Sequence, residues 1–208
     1  MYCENIAEQF GESLVGTWCH EQGENQPLAP GLDGSPAAYR EKIENVQNLS
    51  GPRTIICWVK IDSVERIYPL ATLRSSEQDI DAGWHVWILG NGQVQFGTGD
   101  GSSQHECVKF PFSLREKNVA FIAVVVTEES AHIFCNAQRT DPHYLSGAEK
   151  PADTLYIGQD PVLPWNELKG DLQCVSIFDR ALSDEEVLSI CNSGWTLPPD
   201  PEEAEQAE

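Results

Sequence analysis

Two groups of residues in this sequence have the types and spacing to do chemistry. The first is a set of acids, Asp79 and Asp81, Asp100 and Asp160, with Gln159 beside the last. Calcium collects several hard oxygens from carboxylates, amides and backbone carbonyls. Asp160 with Gln159, helped by Asp79 or Asp81, could supply them. The competing reading is a set of solvated loops in a chain that is acidic throughout. The second group is Trp165, Asn166 and Glu167, in the proline-broken segment QDPVLPWNEL over 159–168. An indole beside an amide and a carboxylate can stack on a sugar face and hydrogen-bond its hydroxyls. Its competing role is a ring folded over the edge of the core.

Other reactive combinations lack the spacing they need. Cys19-His20 and His105-Glu106-Cys107 do not have zinc-ligand spacing and read as core thiols beside surface imidazoles. There is no Gly-x-Ser-x-Gly elbow and no glycine-rich phosphate loop. The densest acidic run, Asp184-Glu185-Glu186, follows Ser183 and reads as a helix start. The Ser hydroxyl accepts from the Glu186 N–H while the Glu reaches back to the cap.

The elements that would hold these residues are short strands. Thr54–Ile61 is rich in β-branched residues, with Ile55, Cys57, Val59 and Ile61 on one face and Ile56 and Trp58 on the other. Apolar character on both faces predicts a central strand. YPLATL, within the polar connection 62–83, is a further short strand. Trp84–Leu89 and Gln93–Gly97 flank Asn91-Gly92, a hairpin signal. A two-residue turn there pairs Leu89 with Val94 and Trp87 with Phe96 on one face, leaving Trp84, Val86 and Ile88 opposite Gln93 and Gln95. Residues 98–106 read as a loop. Phe121–Thr127 and Ala131–Gln138 form a second hairpin around Glu128-Glu129-Ser130. Thr154–Gly158 is another strand, and residues 3–10 a helical turn; the stretch Leu14–His20 is placed as an opening strand only by the family resemblance given below. Strands at this spacing with turn signals between them predict an antiparallel β-sandwich.

The closing stretch, Lys169 to Gly194, organises the chain. Leu172, Cys174, Ser176 and Phe178 alternate with Gln173, Val175 and Ile177, so both faces of this strand are largely apolar. The capped helix follows, with Val187, Leu188 and Ile190 as its apolar side. GDLQCVSIFDRALSDEEVLSI resembles the terminal strand and short helix of laminin-G-like and pentraxin-like domains, in the concanavalin A-like lectin/glucanase superfamily. The resemblance covers roughly Ser13 to Gly194. It implies an all-β jelly roll with a short C-terminal helix, over 13–197, after an N-terminal segment 1–12. The family's glucanases carry Glu-x-Asp-x-x-Glu on one strand; no strand here has it, although cleavage needs such paired carboxylates. Gly158-Gln159-Asp160 falls near where pentraxins supply calcium ligands. Leu32-Asp33-Gly34 resembles a further family element, but EQGENQPLAPGLDG replaces the family's calcium loop. A pentraxin-like disulfide at Cys57 would need a partner where this chain has Ala123.

Composition bounds the partners. Of 208 residues, 33 are acidic and 13 basic, for a net charge of -20. Such a surface repels phosphate backbones and anionic bilayers, so nucleic acid and membrane insertion are excluded as partners. Seven scattered cysteines, with no secretory signal at the start, predict free thiols and an intracellular location, unless the chain is a fragment of a longer secreted protein. The acidic segment 198–208 cannot bury enough apolar surface to order itself. Together these predict a non-enzymatic recognition module for a glycan or a protein surface, with calcium as a candidate aid. A structural or adaptor subunit of an intracellular assembly is the alternative, and a glycoside hydrolase the more distant one.

Overall fold

In a computed structural model of the chain, the described residues are 6, 9–19, 41–44, 46, 49–75, 82–102, 105–115, 118–146, 149–163, 166 and 168–193. Among them thirteen strands follow in order, with a helix after the last. They are β1 Leu14–Cys19, β2 Glu41–Ile43, β3 Arg53–Ile61, β4 Tyr68–Arg74, β5 Ala82–Ile88, β6 Gln93–Asp100 and β7 His105–Ser113. After them come β8 Val119–Val126, β9 Ser130–Cys135, β10 Gln138–Arg139, β11 His143–Tyr144, β12 Thr154–Ile157, β13 Gly170–Phe178 and the helix α1, Asp184–Asn192. The strands build two antiparallel sheets, ordered β1-β13-β3-β8-β9-β10, with β11 also on β9, and β2-β12-β4-β5-β6-β7. This is the jelly-roll sandwich that the sequence predicts. No helix among the described residues is long and apolar enough to cross a membrane.

Burial explains the two-faced strands. Ile55, Cys57, Val59 and Ile61 of β3 enter the core between the sheets, with Trp84, Val86, Ile88, Val94 and Phe96 from the facing sheet. Ile56 and Trp58 enter a second core on the outer side of the seven-stranded sheet, roofed by Val187 and Ile190 of α1. Ile6 and Phe10, both helical, pack there too. A register shift between Leu172 and Cys174 of β13 breaks the alternation expected from the sequence. It turns Leu172 into the inter-sheet core with Val175 and Ile177, while Cys174 and Phe178 face the outer one.

The Asn91-Gly92 hairpin differs from its expected register by one residue. Ile88 pairs with Val94, Trp87 with Gln95 and Val86 with Phe96. Leu89 N–H donates to Gln93 O at 2.8 Å, so the loop is Gly90-Asn91-Gly92, with Gly92 at φ 81°. A three-residue loop closed by a left-handed glycine is a favoured alternative to the two-residue turn. A one-residue slip sends every side chain to the opposite face. Trp84, Val86 and Ile88 therefore point inward, and Trp87 points out. The expected loop 98–106 is also shorter, because β6 runs to Asp100 and β7 begins at His105. Pro111 disguised β7 in the sequence; an edge strand tolerates proline.

Cys57, Cys107, Cys135 and Cys191 are free thiols, and the expected freedom of Cys57 stands. Cys174 is disulfide-bonded, which corrects the expectation that all seven cysteines are reduced. Cys19 is the register partner of Cys174 across β1 and β13.

The helix start is the capping box read from the sequence. Ser183 Oγ accepts from the Glu186 N–H at 3.3 Å, and Glu186 accepts from the Ser183 N–H at 2.8 Å. Arg180 adds a fork to the same carboxylate at 2.8 and 2.9 Å. These donors, the Arg180 fork first, hold the Glu186 carboxyl down to about 2. A carboxyl lowered on folding stabilises above its ordinary range, and that stability fades as pH falls towards its folded value. Urea unfolding of a Glu186→Gln variant should therefore show a deficit at neutral pH that closes as pH approaches 2. Ser183→Ala should cost about 1 kcal/mol. A Glu186→Gln deficit of the same size at every pH would show that the carboxylate charge plays no part.

Candidate functional site

The outer face of the six-stranded sheet carries a transverse row in strict register. Lys42 of β2 faces Tyr156 of β12, which faces Thr72 of β4. Thr72 faces His85 of β5, His85 faces Gly97 of β6, and Gly97 faces Cys107 of β7. Alternation along each strand then puts Trp87 and Gln95 on this face, one step along. The rings of His85 and Trp87 stack at 3.6 Å between centroids with a 19° tilt. The Gln95 amide nitrogen donates to His85 Nε2 at 3.1 Å. Gly97 makes room for the imidazole: a Cβ there would sit 2.5 Å from His85 Nε2. Lys42 Nζ lies 5.9 Å over the Tyr156 ring.

The segment after β12 is tied to this face through Asp160. Its Oδ2 accepts from Trp87 Nε1 at 3.2 Å and from Arg74 at 3.0 Å, and its Oδ1 accepts from the Val162 N–H at 3.1 Å. Arg74 also donates to Ala82 O at 2.8 Å. The ion pair is shielded, with Asp160 and Arg74 each 2 % exposed. Two backbone bonds, Leu163 N–H to Asp160 O and Asn166 N–H to Leu163 O, both 2.9 Å, fold the segment back over itself. Gln159, Asn166 and Trp87 are half-buried at the margin, while His85 and Gln95 behind them are buried.

Of the residues singled out in the sequence, the structure thus places Asp160 at the centre of a hydrogen-bonded anchor and Gln159 and Asn166 on its rim. Trp165, Glu167, Asp79 and Asp81 lie outside the described residues, as do Leu32-Asp33-Gly34. Asp100 is at the far end of β6, paired with Ala82. Among the described residues no three His, Cys, Asp or Glu side chains are grouped to hold a metal ion. Thr72, His85, Trp87 and Gln95 are additions. Their signal was present as alternation in WHVW and QVQF, but only the correct hairpin loop length shows which face is inside.

His85 and Cys107 flank Gly97, and such a pairing would need a thiolate to act as a nucleophile. Burial instead pushes the Cys107 thiol up, the nearby Lys109 opposing it. No two carboxylates face each other on the row. What it presents is stacked rings, an amide and a cation.

Residues 37–188 match the family described as the concanavalin A-like lectin/glucanases superfamily. The chain belongs to this superfamily. No curated relative matches the superfamily member described here. Among solved structures it is similar to the carbohydrate-binding module of the Ruminococcus gnavus IT-sialidase bound to α2,3 sialyllactose, at TM-score 0.61 and 14% identity over 74% of this chain and 98% of that one. It is also similar to the leech intramolecular trans-sialidase, at TM-score 0.66 and 14% identity over 88% of this chain but 28% of that enzyme. A third similar structure is the botulinum neurotoxin serotype D binding domain, at TM-score 0.66 and 13% identity, covering 90% and 52%. At such identities the likeness shows a shared concanavalin A-like fold.

Proposed function

We propose that this domain is a non-enzymatic recognition module whose ligand is a glycan, held where Trp87 meets Asp160. The observation that carries the reading is the half-buried Trp87, stacked on His85 and fixed at its indole nitrogen by Asp160. A pre-set ring costs little entropy when a sugar stacks on it. Gln159 and Asn166 are the polar neighbours, and Trp165 and Glu167 remain the ligand groups proposed from the sequence. The sialyllactose-bound module among the similar structures supports a glycan as the ligand class. Calcium would enter through Gln159 and Asp160 with Asp79 or Asp81. The three donors already on Asp160 favour recognition without it. The Cys174 disulfide supports an oxidising compartment over an intracellular one.

A glycan array covering sialylated and neutral oligosaccharides, read with and without chelator, tests this. Trp87→Ala should weaken the best ligand by more than about tenfold, as loss of a central aromatic contact does. Undiminished binding by that variant would move the site elsewhere. A second reading, a protein-binding adaptor, has one observation in its favour. Phe112, on the edge strand β7, is 63% exposed, and Tyr144 is 73% exposed. An empty array together with a partner lost on Phe112→Ser would select it.

A further inference from the structure

The loop that joins β5 to β6 brings a reactive dipeptide to the surface. Asn91 is exposed and is followed by Gly92. The fold itself demands the glycine. Its φ is 81°, a region that side chains rarely enter, and a Cβ there would meet Leu114 O and Ser113 Cβ at 3.1 Å. A glycine nitrogen has no side chain of its own to shield it, so it can approach the preceding side-chain amide closely.

The Asn91 amide is held at both ends. Its Oδ1 accepts from the Gln93 N–H at 3.1 Å, and its Nδ2 donates to Gln93 Oε1 at 2.9 Å. Asparagine often bonds the backbone two residues on in this way. Here the bond also polarises the side-chain carbonyl. A donor already aimed at the oxygen that gains charge lowers the barrier to acyl transfer. The nucleophile is restrained, because the Gly92 N–H donates to Leu89 O at 2.8 Å. Opening of that one bond frees it, and exposed loops open locally at little cost in free energy.

We infer that Asn91 is a self-modification site, converted to isoaspartate and aspartate through a cyclic imide closed on the Gly92 nitrogen. Hydroxide takes the proton from Gly92 N, and the nitrogen's electron pair bonds to Asn91 Cγ. The carbonyl pair moves onto Oδ1, where the Gln93 N–H meets it. That pair returns as Nδ2 takes a proton from water and leaves as ammonia, which regenerates the hydroxide. A second water opens the ring. Addition at Cγ breaks the new Cγ–N bond and gives aspartate. Addition at the main-chain carbonyl carbon of Asn91 breaks the original peptide bond and leaves the chain running through Cβ and Cγ, as isoaspartate. Water is the co-reactant, and nothing is oxidised or reduced. The inference does not rest on the glycan reading.

The products alter the loop. A carboxylate at 91 has no donor for Gln93 Oε1. The isoaspartyl link adds a backbone carbon to a three-residue loop framed by two bonds, Leu89 N–H to Gln93 O and Leu114 N–H to Gly92 O, both 2.8 Å. Those bonds close the β5–β6 hairpin and tie the residue after β7 to it, so both should weaken.

Purified protein incubated in mildly alkaline buffer, then digested and mapped by mass spectrometry, tests the inference. An isoaspartyl carboxyl methyltransferase with labelled S-adenosylmethionine scores the isoaspartate. Isoaspartate and aspartate should accumulate at 91, while Asn118 and Asn136, which precede Val and Ala, stay intact. Asn91→Gln changes an exposed residue and keeps the amide, but its longer side chain must close a larger ring. It should slow conversion at 91 by about tenfold or more. An Asn91 as durable as Asn118 and Asn136 overturns the inference, as does a conversion rate unchanged in Asn91→Gln. In the aged protein, amide hydrogen exchange should quicken at Leu89 and Leu114. Unchanged exchange at both would overturn the loosening of the loop.

Discussion

A Phe178→Ala chain is expected to lose about 3–5 kcal/mol of stability, the range for a large aromatic removed from a packed interior. Phe178 is fully buried. Its ring meets Phe10 edge-on, at 5.7 Å between centroids and 82° between planes. It shares the outer core with Leu182, Val187 and Ile190, so one residue ties β13, α1 and the helical residues before β1 together. Its neighbours belong to three separate parts of the chain and cannot easily collapse onto the void, which places the cost high in the range. Against a typical total of about 5–15 kcal/mol the loss is severe. Urea unfolding followed by tryptophan fluorescence measures it. A variant that unfolds at the wild-type midpoint with an unchanged slope would show that the ring packs against nothing.

Asp160→Ala is the second large effect, expected at about 3–5 kcal/mol because it strands the buried Arg74 without a counter-charge. Both side chains are withdrawn from water, at 2 % and 0% exposure, so solvent cannot replace the lost carboxylate. Converting both partners to well-packed apolar residues, Arg74→Met with Asp160→Ala, should recover most of the deficit. The same experiment separates the two roles open to Asp160. As an internal anchor, its removal costs the same with calcium or with chelator. As a calcium ligand, the wild type itself would melt higher with the ion, by mass action, and the variant would lose that shift. The expected outcome is no calcium shift in either protein. A clear shift in the wild type that Asp160→Ala abolishes would make the acid a metal ligand.

The sandwich was readable because burial imposes alternation. TIICWVKI and FIAVVV are apolar on both faces, and each lies inside the seven-stranded sheet between two packed layers. The capping box was readable because Ser183 and Glu186 interact locally, with no tertiary information needed. The outer-face row was not. Its face carries His85, Trp87, Gln95 and Thr72, and aromatic residues look equally at home in a core. Which face they occupy turned on whether Gly90 belongs to the turn. Nor could spacing show that Asp160 is spoken for by Arg74, a residue 86 positions away. Long-range charge pairing leaves no local pattern. The same holds for Arg53, which reads as the polar boundary of a strand yet lies beneath two aromatic rings and against Glu149, 96 positions further on.

The position of β13 has a consequence for how the protein is made. It is the last strand among the described residues, yet it lies between β1 and β3. Until residues 170–178 leave the ribosome, β1 has no neighbour in its sheet and β3 presents a row of unpaired amides and carbonyls on a strongly apolar strand. Such an edge invites pairing with other chains. Closure awaits contacts across most of the sequence, which makes folding slow relative to chains of local topology. During synthesis at about 5–20 residues per second, the unfinished sandwich thus keeps this apolar edge unpaired for seconds. The high acidity of the chain then serves a purpose before any ligand is met, as like charge keeps partly made copies apart.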